Sequence, residues 1–175
     1  DAIAITDHIE HRPHREFVKG DHNSSYELAK PLADEKEIIL IRGGEITREM
    51  PPGHLNGLFL EDANALDTAD PEDAVKAAIN QGGFVIWNHP GWKAQQPDTC
   101  KWMTLHREWY KKGYIHGIEV FNEKEWYPIS IDWAVEKDLA ITGFSDIHGV
   151  TSHYYDLENV HRPMTLIFAT EHSAE

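Results

Sequence analysis

The sequence predicts an α/β fold built mainly from parallel strands. Three observations carry this. Short apolar runs alternate with amphipathic stretches through the whole chain. Several runs, such as Phe84-Val85-Ile86-Trp87, are continuous, which suits strands buried on both faces. The chain has 175 residues and is 41% hydrophobic, enough for one full core and too apolar for disorder.

The elements follow in order. A strand is predicted over 2–6, running into Thr6-Asp7-His8. A helix follows from Ser24 to about Lys36, with Pro31 as a kink or break. The strand 38–42 runs into Gly43-Gly44-Glu45, where the glycines let a second backbone come close. A further strand is predicted over 55–60, with His54 just before it. The next helix has the plainest signals. Asp70 is its N-cap and Pro71 its first residue, and Glu72 and Asp73 complement the helix dipole. Ala74, Val75, Ala78 and Ile79 form its apolar stripe, and Gly82-Gly83 ends it.

The strand 84–88 then runs into Asn88-His89-Pro90. A helix is predicted from Asp98 to Lys112, ended by Gly113. The strand 117–121 contains Glu119 and ends at Asn122. Tyr127 to Lys137 reads as a helix with Ile131, Ala134 and Val135 facing inward. The strand 139–144 runs into Ser145-Asp146-Ile147-His148, and 164–169 is the last predicted strand. Residues 170–175 read as the opening turn of a helix. The loop segment 89–112 gathers Trp92, Trp102 and Trp109, as a substrate lid or as packing. Both ends look internal to a larger domain. The expected unit is one domain over 1–175, incomplete at the N-terminus and at the C-terminus.

Composition narrows the function. The chain carries 30 Asp+Glu against 16 Lys+Arg, a formal charge of -14. That argues against extended nucleic acid as a partner, because backbone phosphates need clustered Lys and Arg. A small phosphorylated substrate stays open, since metal ions can reverse a local field. No run reaches the ~18 to 20 apolar residues of a membrane span, so no membrane is expected. Cys100 is the only cysteine, which excludes an intrachain disulfide and a thiolate cage. The 12 histidines stand out.

Polar residues gather where the strands end. Asp7, His8, Glu45, His89, Asp146 and His148 follow strands, and His54 precedes one. In α/β folds that edge of the sheet binds ligands. His, Asp and Glu together are ligand types for borderline or hard cations. Asp146 and His148 are two apart and point the same way on extended chain. Asp7 and His8 point oppositely, so only one of them is a direct ligand.

The order of these motifs resembles the PHP family, named for polymerase and histidinol phosphatase domains. The matching pieces are ITDH at 5–8, GGEIT at 43–47, GHLNGLF at 53–59, NHPGW at 88–92, GIEVFN at 117–122 and GFSDIHG at 143–149. The resemblance implies a distorted (β/α)7 TIM-like barrel with two or three divalent ions, of Mn, Fe or Zn type. It implies His8 and His148 as ligands of one ion. Glu45 would bridge the other two, with His54 and His89 beside it, and Asp146 would bind the ion that also takes the family's first motif. The family's first motif, a His-x-His, and its strand are absent, and would lie upstream of Asp1. An export signal would lie there too, which leaves cytoplasm and periplasm both open.

The expected function is hydrolysis of a small phosphate ester by a metal-activated hydroxide. Asp7 or His89 would protonate the leaving group. Arg12, Lys93 and His14 are the candidates for holding the phosphate. His11 is a further outer group, while His106, His116, His153, His161 and His172 read as surface or helix-flanking. One alternative is a metal-dependent amidohydrolase. It is disfavored because Glu45 stands where those barrels commonly carry a carboxylated lysine. The other is a non-catalytic module of the same fold with a structural or binding role. Oligomeric state is not legible.

Overall fold

The computed structural model describes residues 1–17, 20–171 and 173. Its centre is a curled seven-stranded sheet of mixed direction. The strands are β1 (Ala2–Ile5), β2 (Ile39–Thr47), β3 (His54–Leu58), β4 (Phe84–Trp87), β5 (Gly117–Asn122), β6 (Glu125–Trp126) and β7 (Ala140–Phe144). The helices are α1 (Ser24–Glu35), α2 (Pro71–Asn80), α3 (Thr104–Lys111), α4 (Pro128–Lys137) and α5 (Thr151–Tyr154), with a 3-10 turn at Ala63–Leu66.

β1 and β2 are parallel, as are β4 and β5 and β5 and β7. β3 runs antiparallel between β2 and β4, and the short β6 runs antiparallel to β5, so the expectation of parallel strands is corrected at those two. The reversal matters for the site. It brings His54, at the start of β3, to the same edge as Glu45 near the end of β2, with Thr47 paired to His54.

Strand alternation then separates two faces. Ile46, Leu55, Val85, Trp87 and Ile118 point outward into the main core, together with Ala74, Val75 and Ala78 of α2 and Ala134 of α4. Ile41, Leu58 and Ile86 point to the inner face and form a smaller core. Farther along those same inner rows stand Glu45 and His54. α2 forms as its signals predict, with the Asp70 carboxylate accepting from Glu72 N–H at 2.7 Å.

Four other expectations change. The helix of 98–112 begins only at Thr104. Before it, Lys101 N–H donates to Gln96 Oε1 at 2.9 Å, and Trp102 packs edge-on to Trp87, which holds that stretch out of helix. Val135 faces solvent at 73% exposure, and Ser130 takes the buried position instead. Residues 164–169 do not form a strand. Thr165 reaches the edge of β7 through its side chain, accepting from Gly143 N–H at 3.0 Å, so a side chain stands where a ladder would run. A groove of about 520 Å³ lies there, lined by Ile141, His161, Met164 and Leu166 among others. His172 and the end of the expected C-terminal turn lie outside the described residues.

The fourth correction is His106, which is fully buried rather than on the surface. Its ring stacks on Trp87 at 3.8 Å. Nε2 donates to Pro52 C=O at 2.8 Å and Nδ1 accepts from Met103 N–H at 3.2 Å. Burial pushes its pKa down to about 4, from an ordinary 6.5. A depressed pKa means the unfolded chain takes the proton first. The stabilisation is therefore complete above pH 6.5 and is lost as pH falls toward 4. We expect His106→Phe to destabilise the protein by roughly 2 kcal/mol at pH 7.5, by orphaning the buried Pro52 C=O and the half-buried Met103 N–H. The gap should narrow by about 2 kcal/mol at pH 5, because only the wild type carries this proton linkage. Urea melts at the two pH values check both figures.

Candidate metal centre

Glu45 is the hub of the site, and its backbone explains why. Its N–H donates to Asp7 C=O at 3.0 Å, and its C=O accepts from Ile9 N–H at 2.8 Å. The segment after β1 is thereby strapped to β2. Gly44 permits this close approach, since a Cβ there would meet Ile9 Cδ1 at 2.9 Å. With Ile9 fully buried, His8 turns toward Glu45 and Asp7 turns out to solvent.

The two carboxylate oxygens then contact two different imidazole pairs. Oε2 lies 2.8 Å from His8 Nδ1, and His8 Nε2 lies 3.2 Å from His148 Nε2. Oε1 lies 2.8 Å from His54 Nδ1, and His54 Nδ1 lies 3.0 Å from His89 Nε2. His89 Nε2 is 3.9 Å from the same Oε1. Asp146 bridges the pairs from above. Its Oδ2 is 3.9 Å from His89 Nδ1 and its Oδ1 is 3.9 Å from His148 Nδ1.

These residues fit a divalent cation. Two imidazole nitrogens and one carboxylate oxygen, from Glu45, His54 and His89, all lie within 4.8 Å of one another and are buried. Glu45 Oε1 is buried with no hydrogen-bond partner, although His54 Nδ1 is at contact distance. The distance suits a hydrogen bond but the direction does not. Donor atoms crowded this closely, with a buried carboxylate oxygen left unpaired, are what a bound ion would account for. Nitrogen and oxygen donors without thiolate favor a borderline or hard metal.

The electrostatics agree with this grouping. Burial alone would push the Glu45 carboxyl up, but His54 and His8 outweigh it and hold it well below the usual carboxylate range. The Glu45 hydrogen bond raises the His8 pKa above its ordinary value against the effect of burial. Burial lowers the His89 pKa, and the carboxylates of Glu119, Glu45 and Asp146 more than offset it. Glu119, fully buried, is itself pushed up by burial.

Of the six expected ligands, the structure brings all of His8, Glu45, His54, His89, Asp146 and His148 to one edge. Of the expected acids, Asp7 is turned away and accepts from the Ser25 hydroxyl. His89 has Nε2 in the cluster and Nδ1 3.6 Å from Glu119 Oε2, which fits a ligand better than a proton donor. Of the expected phosphate groups, Arg12 is already engaged. Its Nε donates to Ile9 C=O at 2.7 Å, and one terminal nitrogen contacts Asp67 and His22, each at 2.6 Å. His14 is exposed and its ring forms no hydrogen bond or ion pair among the described residues. Lys93 is exposed, and its ammonium is likewise unpaired among the described residues.

Two groups at the site were not among the expected ones. Glu119 and Asn122 lie under His89. Their place in a mostly apolar strand was the available signal, since a buried carboxylate needs a reason. Trp92, on the turn after His89, lies 5.6 Å from the His89 ring and 5.5 Å from the His54 ring, and is 40% exposed. It shields both imidazoles on the solvent side. His11 sits edge-on to His8 at 5.4 Å.

No family profile matches the chain, and no curated protein does. Solved structures do. One is a two-domain protein from Bacteroides vulgatus described as containing a predicted PHP-like metal-dependent phosphoesterase. It shares 48% identity and a TM-score of 0.97, over 99% of this chain and 51% of that one. The chain therefore spans about half the length of that relative. Another, from Bifidobacterium adolescentis, is described as a candidate metal-dependent phosphoesterase, with 15% identity and a TM-score of 0.58 over 85% of this chain and 77% of that one. At that identity the likeness is one of fold alone. Over nearly its whole length, then, the chain is similar to a protein described as containing a PHP-like metal-dependent phosphoesterase, and Glu45, His54 and His89 form a buried donor cluster that could hold a metal ion.

Proposed function

We propose that this domain hydrolyses small phosphate esters with two or three divalent ions of Mn, Fe or Zn type. The observation that carries the reading is the Glu45 carboxylate, with one oxygen on each of two imidazole pairs. Ions held by Glu45, His54 and His89, and by His8, His148 and Asp146, would lower the pKa of a bound water and neutralise charge on the phosphoryl group. The chain's own residues do the rest. The rigid strand ends fix the donors, and Trp92 excludes water from the buried imidazoles. The net charge of -14 does not oppose a phosphate locally, because two or three ions would add about four to six positive charges there.

Lys93 is the group we assign to the substrate phosphate, since it follows Trp92 on the same turn and has no competing partner among the described residues. Lys93→Ala should raise KM about tenfold with kcat nearly unchanged, because a lost uniform contact weakens ground state and transition state alike. Its melting temperature should not move. Steady-state kinetics at several substrate concentrations separate the two constants.

Among the described residues β1 pairs only with β2 and β7 only with β5, and a groove of about 380 Å³ lined by Ile3, Leu157, Val160 and Met164 lies beside β1. We read it as the seam of a distorted (β/α)7 barrel whose first strand would close it. That strand would bring the family's His-x-His to the cluster.

The test is phosphate release by the protein after chelation and after return of each metal, with amides and lactones assayed in parallel. Metal-restored cleavage of phosphate esters supports the reading. Cleavage of amides or lactones alone would favor the amidohydrolase. A metal-loaded protein that cleaves none of them would favor the non-catalytic module.

A further inference from the structure

Glu119 and Asn122 are three residues apart on β5, a spacing that puts side chains on opposite faces of a regular strand. Here they meet, with Asn122 Nδ2 donating to Glu119 Oε1 at 3.1 Å. The reason is a β-bulge. Glu119 pairs with Thr142 and Phe121 pairs with Gly143, so Val120 is an extra residue on β5. One inserted residue shifts the alternation by one and swings Asn122 to the side of Glu119. The bulge is stabilised from outside, since Val120 C=O accepts from Tyr127 N–H at 2.9 Å.

Donor counting then defines what the pair does. The Asn122 amide has two N–H groups. The two shortest contacts of Nδ2 are Glu119 Oε1 and, at 3.2 Å, Asp146 Oδ2, and His89 Nδ1 lies farther off at 3.4 Å. Glu119 Oε2 accepts from the backbone N–H of His89 and lies 3.6 Å from His89 Nδ1. His89 has φ of +26°, an unfavorable value for a non-glycine residue, and the buried carboxylate helps hold it there. A proton on Nδ1 would face the Glu119 carboxylate and would leave the Nε2 lone pair of His89 facing Glu45 and His54.

We propose that Glu119 and Asn122 are positioning residues of the metal centre. Glu119 sets the tautomer and aim of His89. Asn122 ties Asp146, on the loop after β7, to that same carboxylate. The β5 bulge is thus the device that couples the two halves of the site. The inference rests on the cluster binding a divalent ion, and not on which bond is broken.

The test uses Glu119→Gln and Asn122→Ala. Calorimetric titration with Zn or Mn should show affinity falling about 10- to 100-fold, the usual effect of removing an outer partner of a ligating histidine. Long-range proton–nitrogen spectra of the metal-free protein should show His89 as the Nδ1–H tautomer in the wild type and as a mixture in Glu119→Gln. Glu119→Asp, which keeps the carboxylate, should recover part of the affinity. Asn122→Ala leaves the bulged backbone in place and carries the test if Glu119→Gln does not fold. Wild-type affinity in Asn122→Ala, or an Nε2–H tautomer of His89 in the wild type, would overturn the proposal. Neither readout involves turnover, so failure of the phosphoesterase reading is separable from failure here.

Discussion

Glu45→Ala is expected to remove turnover by about a thousandfold or more, because metal-assisted hydrolysis depends on ions held at fixed positions. No other residue among those described contacts both imidazole pairs so closely. The same change should be visible without substrate. His8 owes its raised pKa first to the Glu45 hydrogen bond, so in the metal-free variant its titration should shift down toward or below 6.5. A proton-NMR titration of the His8 ring reads this directly. Folding should suffer less than catalysis. His8 is partly exposed to solvent and can shed its proton when the carboxylate goes, so a loss of about 1–3 kcal/mol is expected. A melt in urea at pH 7.5 checks it.

Asp146→Ala is the second large effect. Turnover should fall by about a hundredfold or more, as ions lose a carboxylate and His148 loses its neighbor. Stability should change by under about 1 kcal/mol, because the side chain is 31% exposed and its pairs are screened. The combination of lost activity with retained stability separates a ligand from a structural residue. Metal content after dialysis should also drop in Asp146→Ala, whereas Lys93→Ala should keep its full complement.

Much of this site is legible in the order of the residues. Ligand-type residues at successive strand ends mark one sheet edge. Asp146 and His148 do meet, but Asp146 has φ of +45° in the loop after β7, so a turn rather than extended alternation brings them together. Alternation forces a choice between Asp7 and His8, and burial of Ile9 decides it for His8. Other features are not legible, for physical reasons. An antiparallel β3 has the same apolar content as a parallel one, so direction is invisible in composition. A bulge adds one residue and leaves no mark on the pattern, and for that reason simple alternation turns Asn122 away from Glu119. His106 lies in a polar stretch, and only the stack on Trp87 and two backbone hydrogen bonds make a buried histidine tolerable there. Arg12 follows the Thr-Asp-His closely in sequence, yet Asp67, far along the chain, claims its guanidinium. The run 164–169 has strand composition, but a strand needs a partner edge, and Thr165 meets β7 side-on.

The proposed chemistry turns on Glu45, His54 and His89 holding a metal ion. Anomalous diffraction from crystals grown with Zn or Mn tests that claim most directly. A peak is expected within about 2.0–2.2 Å of a Glu45 oxygen and of ring nitrogens from His54 and His89. A second peak is expected on the side of His8 and His148. Ions bound only elsewhere on the protein, with the Glu45 cluster empty at saturating metal, would contradict the claim.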